Sequence, residues 1–89
     1  MNLKSLRYLV AVADQRHFGK AAQLCNVTQP TLSTQLKKLE DYLGVELIER
    51  RQHEAVPTAV GSEIIALARV ILCATDQIRT MANTNHHVN

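Results

Sequence analysis

Apolar residues recur at helical spacing in four segments of the chain, and typical cap residues separate these segments. The first helix is predicted over residues 3–15, with Asn2 as its N-cap. Its apolar face comprises Leu3, Leu6, Val10 and Ala13, with Leu9 beside them. A short second helix is predicted over residues 19–25. Its inward positions are Phe18, Ala21, Ala22 and Cys25.

The third helix is predicted over residues 29–43, after Thr28 as its N-cap. Pro30 lies in the first turn, where a missing N–H costs nothing, and Gly44 is typical of the residue that follows a helix end. Two short apolar stretches around a polar turn come next, and they predict a small β-hairpin over residues 47–57.

The fourth helix is predicted from its cap, Thr58, to residue 85, and it carries a heptad pattern. The seven apolar positions that alternate spacings of four and three, here called the seam, are Val60, Ile64, Leu67, Ile71, Ala74, Ile78 and Met81. A second apolar strip beside the seam comprises Ile65, Ala68 and Leu72. One strip can pack on the first three helices and the other on a second chain, which predicts a homodimer through the seam. The alternative is a monomer in which this helix has one wide buried face.

The third helix has an apolar face at Leu32, Leu36 and Leu39. Its tip, its outward face and the flanking positions carry Gln29, Pro30, Thr31, Ser33, Thr34, Gln35, Lys37 and Lys38. Gln, Ser and Thr side chains can hydrogen-bond base edges, and a helix N-terminus attracts phosphate. An ordinary solvated face carries more of the strong helix formers Glu and Lys. The composition therefore favours a helix-turn-helix that reads DNA.

The charge of the chain is unevenly distributed. Residues 1–39 carry a net charge of +5, residues 40–54 carry −3, and the remainder is balanced. A basic front half favours a polyanionic partner, and an unevenly charged solvated surface is the alternative.

Other classes of function find no matching pattern. Two cysteines are too few for a disulfide scaffold, and His86 and His87 lack the further ligands of a metal site. There is no glycine-rich phosphate loop and no nucleophile elbow, so we expect no enzyme activity, no metal and no cofactor. No apolar run approaches the ~18 residues of a membrane span, and the start of the chain lacks a signal-peptide cleavage site. We expect a cytoplasmic, nucleoid-associated protein without a membrane partner.

Several stretches of the chain match one known family. They are Ala21-Ala22, Leu24-Cys25, Val27-Thr28-Gln29-Pro30-Thr31-Leu32-Ser33, Gln35-Leu36, Leu39-Glu40, Leu43-Gly44-Val45, Leu47-Ile48-Glu49-Arg50 and Thr58-Ala59-Val60-Gly61. They closely resemble the LysR-type transcriptional regulators over essentially the whole chain. Peroxide-responsive members are the most similar, through Arg16-His17-Phe18, Cys25, Pro30-Thr31-Leu32-Ser33 and Lys38-Leu39-Glu40-Asp41. A member that responds to a small-molecule metabolite is the alternative.

This resemblance implies a mainly α fold. A winged helix-turn-helix of three helices and a β-hairpin wing would occupy residues 1–58, a dimerisation linker helix residues 59–85, and a polar tail residues 86–89. The partners it implies are double-stranded DNA at AT-rich sites with dyad symmetry, and a second copy paired antiparallel through the linker helix. Longer members continue into an effector-binding domain and often bind as tetramers.

The resemblance also assigns roles to individual residues. Thr28 would cap the recognition helix and touch phosphate. The residues that would contact bases are Gln29, Pro30, Ser33 and Thr34. Arg50, with Arg51 beside it, would approach the DNA from the wing, and Lys4 would reach phosphate from the first helix.

Three features depart from the family pattern. His17 stands where most members have a Ser or Thr cap, and Pro57 puts the second strand of the wing in question. Cys25 and Cys73 match neither redox cysteine of the peroxide-responsive members, whose sensing domain would lie beyond this chain.

A protein-interaction module is the rival function, with the heptad helix as its binding element and the front domain as a spacer.

Overall fold

The computed structural model describes residues 1–86. The elements, in chain order, are α1 (Leu3–Gln15), α2 (Phe18–Leu24), α3 (Gln29–Leu43), β1 (Ile48–Arg51), β2 (Glu54–Pro57) and α4 (Ala59–His86). The two strands form an antiparallel hairpin. This is the predicted winged helix-turn-helix followed by a long helix, with α2 starting one residue earlier than predicted.

Side chains of the predicted cap residues fix where the helices begin. Asn2 accepts the backbone N–H of Ser5 at 2.8 Å, and Ser5 reciprocates by accepting the backbone N–H of Asn2 at 3.1 Å. His17 caps α2 at the position where most family members have Ser or Thr. Its Nδ1 accepts the N–H of Lys20 at 3.0 Å. A histidine therefore caps α2 without loss of the helix start.

The core is centred on α1, which contributes more buried residues than any other element and contacts α2, α3 and α4. Its buried face differs from the predicted one. Leu6, Leu9 and Val12 are buried, whereas Leu3 is 42% exposed and Val10 and Ala13 are only half-buried. The face is rotated because three other helices and the wing surround α1, and Ser5, tied up in its capping box, occupies a buried position.

The wing is a hairpin of two four-residue strands, with Ile48 opposite Pro57 and Arg51 opposite Glu54. Pro57 pairs at the end of β2, where a missing N–H is tolerated, so the second strand forms despite the proline. Glu40 of α3 holds the start of β1, because one carboxylate oxygen accepts the N–H groups of Leu47 and Ile48 at 2.7 and 3.3 Å.

The long helix α4 extends away from the head, which is the packed unit formed by α1, α2, α3 and the wing over residues 1–58. At 28 residues it is about 42 Å long, which accounts for the 53 Å longest dimension of the molecule. It continues through His86, one residue further than predicted, and the rest of the expected tail, 87–89, lies outside the described residues. Within residues 1–86, no helix has the length and apolar character to cross a membrane.

Candidate nucleic-acid interface

The N-terminal end of α3 presents a polar tip. Thr28, Gln29, Pro30 and Thr31 are all exposed. The Thr28 hydroxyl donates to the Thr31 hydroxyl at 2.9 Å and accepts the Thr31 N–H at 3.3 Å. Pro30 has no N–H and the Thr31 N–H is already capped, so this tip offers an anion the N–H of Gln29 together with the positive end of the helix dipole.

The outward face of α3 continues from this tip as a shallow groove of about 260 Å³. It is lined by Pro30, Thr31, Thr34 and Gln35. On the opposite side Leu32, Leu36 and Leu39 are buried in the core, as the pattern predicted. Ser33 and Gln35 are half-buried, which leaves them at the margins of the exposed face.

The two arginines of the wing point in opposite directions. Arg50 faces the head, where its guanidinium carbon lies 3.9 Å from the centre of the Phe18 ring and its Nη2 donates to Ser33 Oγ at 2.9 Å. Arg51 pairs with Glu49, Nε to carboxylate at 3.3 Å. Of the two, Arg50 is therefore the one joined to α3.

A cleft of about 200 Å³ separates the wing from the start of α2 and α3. Its lining includes His17, Phe18, Gly19, Gln29 and Arg50. Sequence reasoning treated Phe18 only as a core residue and missed its role as a platform for Arg50. The one hint in the sequence was that the chain has only three aromatic side chains, which makes each of them a candidate for a specific contact.

The predicted lysine contacts differ in their local charge. Lys37 forms an exposed pair with Asp41 at 3.4 Å, so a neighbouring carboxylate partly offsets its charge. Lys38 is exposed on the next position of α3, and Lys4 is exposed on the first turn of α1. These placements leave all three amines accessible to a phosphate backbone.

The two cysteines have different environments. Cys25 is half-buried at the end of α2, and burial raises the pKa of its thiol above the ordinary value of 9.0. Cys73 is exposed on α4. Over residues 1–86, no three His, Cys, Asp or Glu side chains are grouped as metal ligands would be.

The seam of α4 is mostly uncovered. Val60, Leu67, Ile71, Ala74, Ile78 and Met81 are exposed, and Ile64 instead packs partly against the core. The second strip lies against the head, with Ile65 and Ala68 buried and Leu72 half-buried. The structure thus assigns one of the two strips to the head and leaves the other in solvent.

Comparison with known proteins identifies relatives that share this architecture. Residues 3–62 match the family described as bacterial regulatory helix-turn-helix protein, lysR family. The DNA-binding transcriptional dual regulator OxyR of Escherichia coli K12 is 46% identical over 83 residues, which cover 93% of this chain and 27% of that protein. This chain therefore spans little more than a quarter of the length of the curated relatives it matches. Those relatives are transcriptional regulators, not enzymes.

Two solved structures carry the same similarity into three dimensions. Full-length OxyR from Pseudomonas aeruginosa, a single-residue variant, superposes with a TM-score of 0.90 at 46% identity, covering 94% of this chain and 28% of that one. The DNA-binding domain of BenM in complex with benA site 1 DNA superposes with a TM-score of 0.89 at 37% identity, covering 94% of each chain. The chain belongs to the lysR family of bacterial regulatory helix-turn-helix proteins.

Proposed function

We propose that this chain is the sequence-specific DNA-binding part of an OxyR-like transcription regulator, acting in the cytoplasm at the nucleoid. Two copies bind an AT-rich site with dyad symmetry, and each inserts α3 into a major groove. The observation that carries this proposal is the exposed tip and outward face of α3, with the Arg50 wing beside them.

The chemistry of that face fits base edges. Gln29 can bond the N6 and N7 positions of adenine together, and Thr and Ser hydroxyls can donate or accept. Pro30 and the methyl groups of Thr31 and Thr34 can contact a thymine methyl. The N–H of Gln29 at the start of α3 and the lysines Lys4, Lys37 and Lys38 are suited to phosphates.

The uncovered seam supports the homodimer. From Cys73 to Asn85 every residue except Thr75 is exposed, and these include Ile78 and Met81. An exposed helical segment of about 12–15 residues is marginal in water without a packed face, so a second α4 in antiparallel orientation would stabilise this end of the helix. Two recognition helices related by a two-fold axis would meet half-sites about 34 Å apart or a multiple of that.

A response of the whole protein to hydrogen peroxide is part of the same proposal. It rests on the 46% identity to OxyR, which exceeds the 37% identity to BenM. Assembly of the whole protein into tetramers through further domains is proposed on the same ground.

The test is binding to an AT-rich duplex with dyad symmetry and to a shuffled duplex of equal composition, across a salt series. We expect a preference for the dyad duplex, a complex of two chains per duplex, and affinity that falls steeply with salt. A stable dimer that binds neither duplex at low salt would contradict the proposal and favour the protein-interaction module. Equal affinity for both duplexes would contradict sequence-specific recognition by this chain.

A further inference from the structure

Arg50 in the wing and Ser33 in the recognition helix are directly joined, although 17 residues separate them in the chain. Arg50 Nη2 donates to Ser33 Oγ at 2.9 Å. In the part of the chain that the structure describes, this is the one hydrogen bond that joins a side chain of the wing to a side chain of α3. It connects the two elements that the proposed function brings to DNA.

Two further features orient the Arg50 side chain. Its carbon lies 3.9 Å from the centre of the Phe18 ring, within the distance of a cation–π contact. Its residue also pairs across the hairpin with Ala55, which is almost fully buried, so the strand alternation directs the Arg50 side chain toward the head. Arg50 is therefore oriented before any DNA is present.

This contact restricts what the Ser33 hydroxyl can do. A hydroxyl has one hydrogen to donate and two lone pairs that accept, whereas a guanidinium only donates. With Arg50 donating into one lone pair, the hydroxyl hydrogen must point away from Arg50, and only one lone pair is left to accept. Ser33 is thereby biased toward donating a hydrogen bond.

We propose that Arg50 is a positioning residue for Ser33. It fixes the serine side chain as a hydrogen-bond donor. Ser33 therefore selects an acceptor on a base edge, which can be purine N7, guanine O6 or thymine O4. This inference rests on the proposed function and deepens it, because it assigns a specificity role to a wing arginine that would otherwise supply only positive charge.

Arg51 provides a matched control. It carries the same charge one residue further along β1, but pairs with Glu49 and not with the recognition helix. Replacing either arginine by methionine removes one charge from the wing. The Arg50→Met variant would keep an apolar contact with Phe18 but could donate nothing to Ser33.

The experiment measures affinity for a panel of duplexes in which each base pair of the preferred site is replaced in turn. The variants are Ser33→Ala, Arg50→Met, Arg51→Met and the double variant Ser33→Ala/Arg50→Met, each over a salt series. Ser33→Ala is expected to lose on the order of tenfold preference at one base-pair position per half-site. Arg50→Met is expected to lose preference at that same position, and the double variant to lose no more than either single one. Arg51→Met is expected to lower affinity for every duplex by the same factor and to flatten the salt slope.

Two results would overturn the inference while leaving the proposed function intact. One is an Arg50→Met variant that matches Arg51→Met on every duplex, with losses that multiply in the double variant. The other is an Arg50 side chain in the free protein whose NMR signals show neither a ring-current shift from Phe18 nor a response to Ser33→Ala. An unaltered chain that binds all duplexes equally would instead overturn the proposed function, and this inference with it.

Discussion

Gly61 at the start of α4 packs directly against the backbone carbonyl of Leu47, where the chain enters the wing. A Cβ atom at Gly61 would overlap that carbonyl oxygen. The same oxygen accepts the backbone N–H of Thr58 at 2.9 Å, and the Thr58 hydroxyl accepts the N–H of Gly61 at 2.9 Å. This joint sets how the linker helix leaves the head.

Gly61→Ala should therefore destabilise the chain by about 1–3 kcal/mol or more, because two backbone segments must move apart. Urea denaturation followed by circular dichroism measures the change. Ser62→Ala is the control, since it introduces alanine at the adjacent, exposed position of α4. Equal stability of the two variants would contradict the proposed rigidity of the joint.

Glu40→Ala should cost about 1–3 kcal/mol, because it leaves the N–H groups of Leu47 and Ile48 without their carboxylate acceptor beside a buried core. Hydrogen exchange at these two amides should accelerate together with the loss of stability. Asp41→Ala removes only the exposed pair with Lys37 and should change stability by less than about 0.5 kcal/mol. Unchanged exchange at both amides in Glu40→Ala would show that this carboxylate does not hold the wing.

Leu67→Glu should prevent dimer formation without unfolding the head, because Leu67 is 64% exposed in the single chain and is the third of the seven seam positions. Analytical ultracentrifugation measures the association, and circular dichroism checks the helix content of the head. Ala66→Glu places the same charge at an exposed position outside the seam and should leave the dimer intact. A dimer that withstands Leu67→Glu would require a different interface.

Gln29→Ala should weaken binding by about 1–3 kcal/mol through one base position and relax the preference there. Lys37→Ala should instead weaken binding to all duplexes and flatten the salt slope. Arg79→Ala, which removes an equal charge far along α4, should have a smaller effect than Lys37→Ala. If Gln29→Ala and Lys37→Ala gave the same pattern over a duplex panel, base reading and phosphate contact would not be divided between them.

The free energy of unfolding should fall at alkaline pH because the Cys25 thiol loses its proton there. Burial raises the pKa of its thiol in the folded chain, so the folded state favours the neutral thiol. Its stabilising contribution is fully present below the ordinary pKa of 9.0 and is lost as the pH rises through the raised pKa. The stability difference between the unaltered chain and Cys25→Ala should therefore shrink as the pH rises from below to above that ordinary value, as urea titrations can measure. Parallel pH curves would contradict this role of burial.

Local signals were sufficient for the elements themselves. Cap residues such as Asn2 and Thr28 mark helix starts because their side chains satisfy backbone N–H groups only a few residues away. Gly44 ends α3 with a φ of 74°, a conformation that glycine adopts without strain. Such interactions depend on neighbours in sequence, so they can be predicted from it.

The packing between elements was harder to predict from the sequence than the elements themselves. The predicted face of α1 correctly included Leu6 and Leu9, but three helices and the wing together bury Val12 and leave Leu3 exposed. Periodicity shows that a helix has an apolar face, and only its neighbours decide how far that face is rotated and how wide it is.

The sequence by itself determined the order of elements, the polar face of α3 and the two apolar strips of α4, because these depend on residue type and helical spacing. Only the tertiary structure decided that the strip at Ile65 and Ala68 lies on the head, and that Arg50 rests on Phe18 and bonds Ser33. Those contacts join residues that are distant in the chain, and their geometry depends on how whole elements pack against one another.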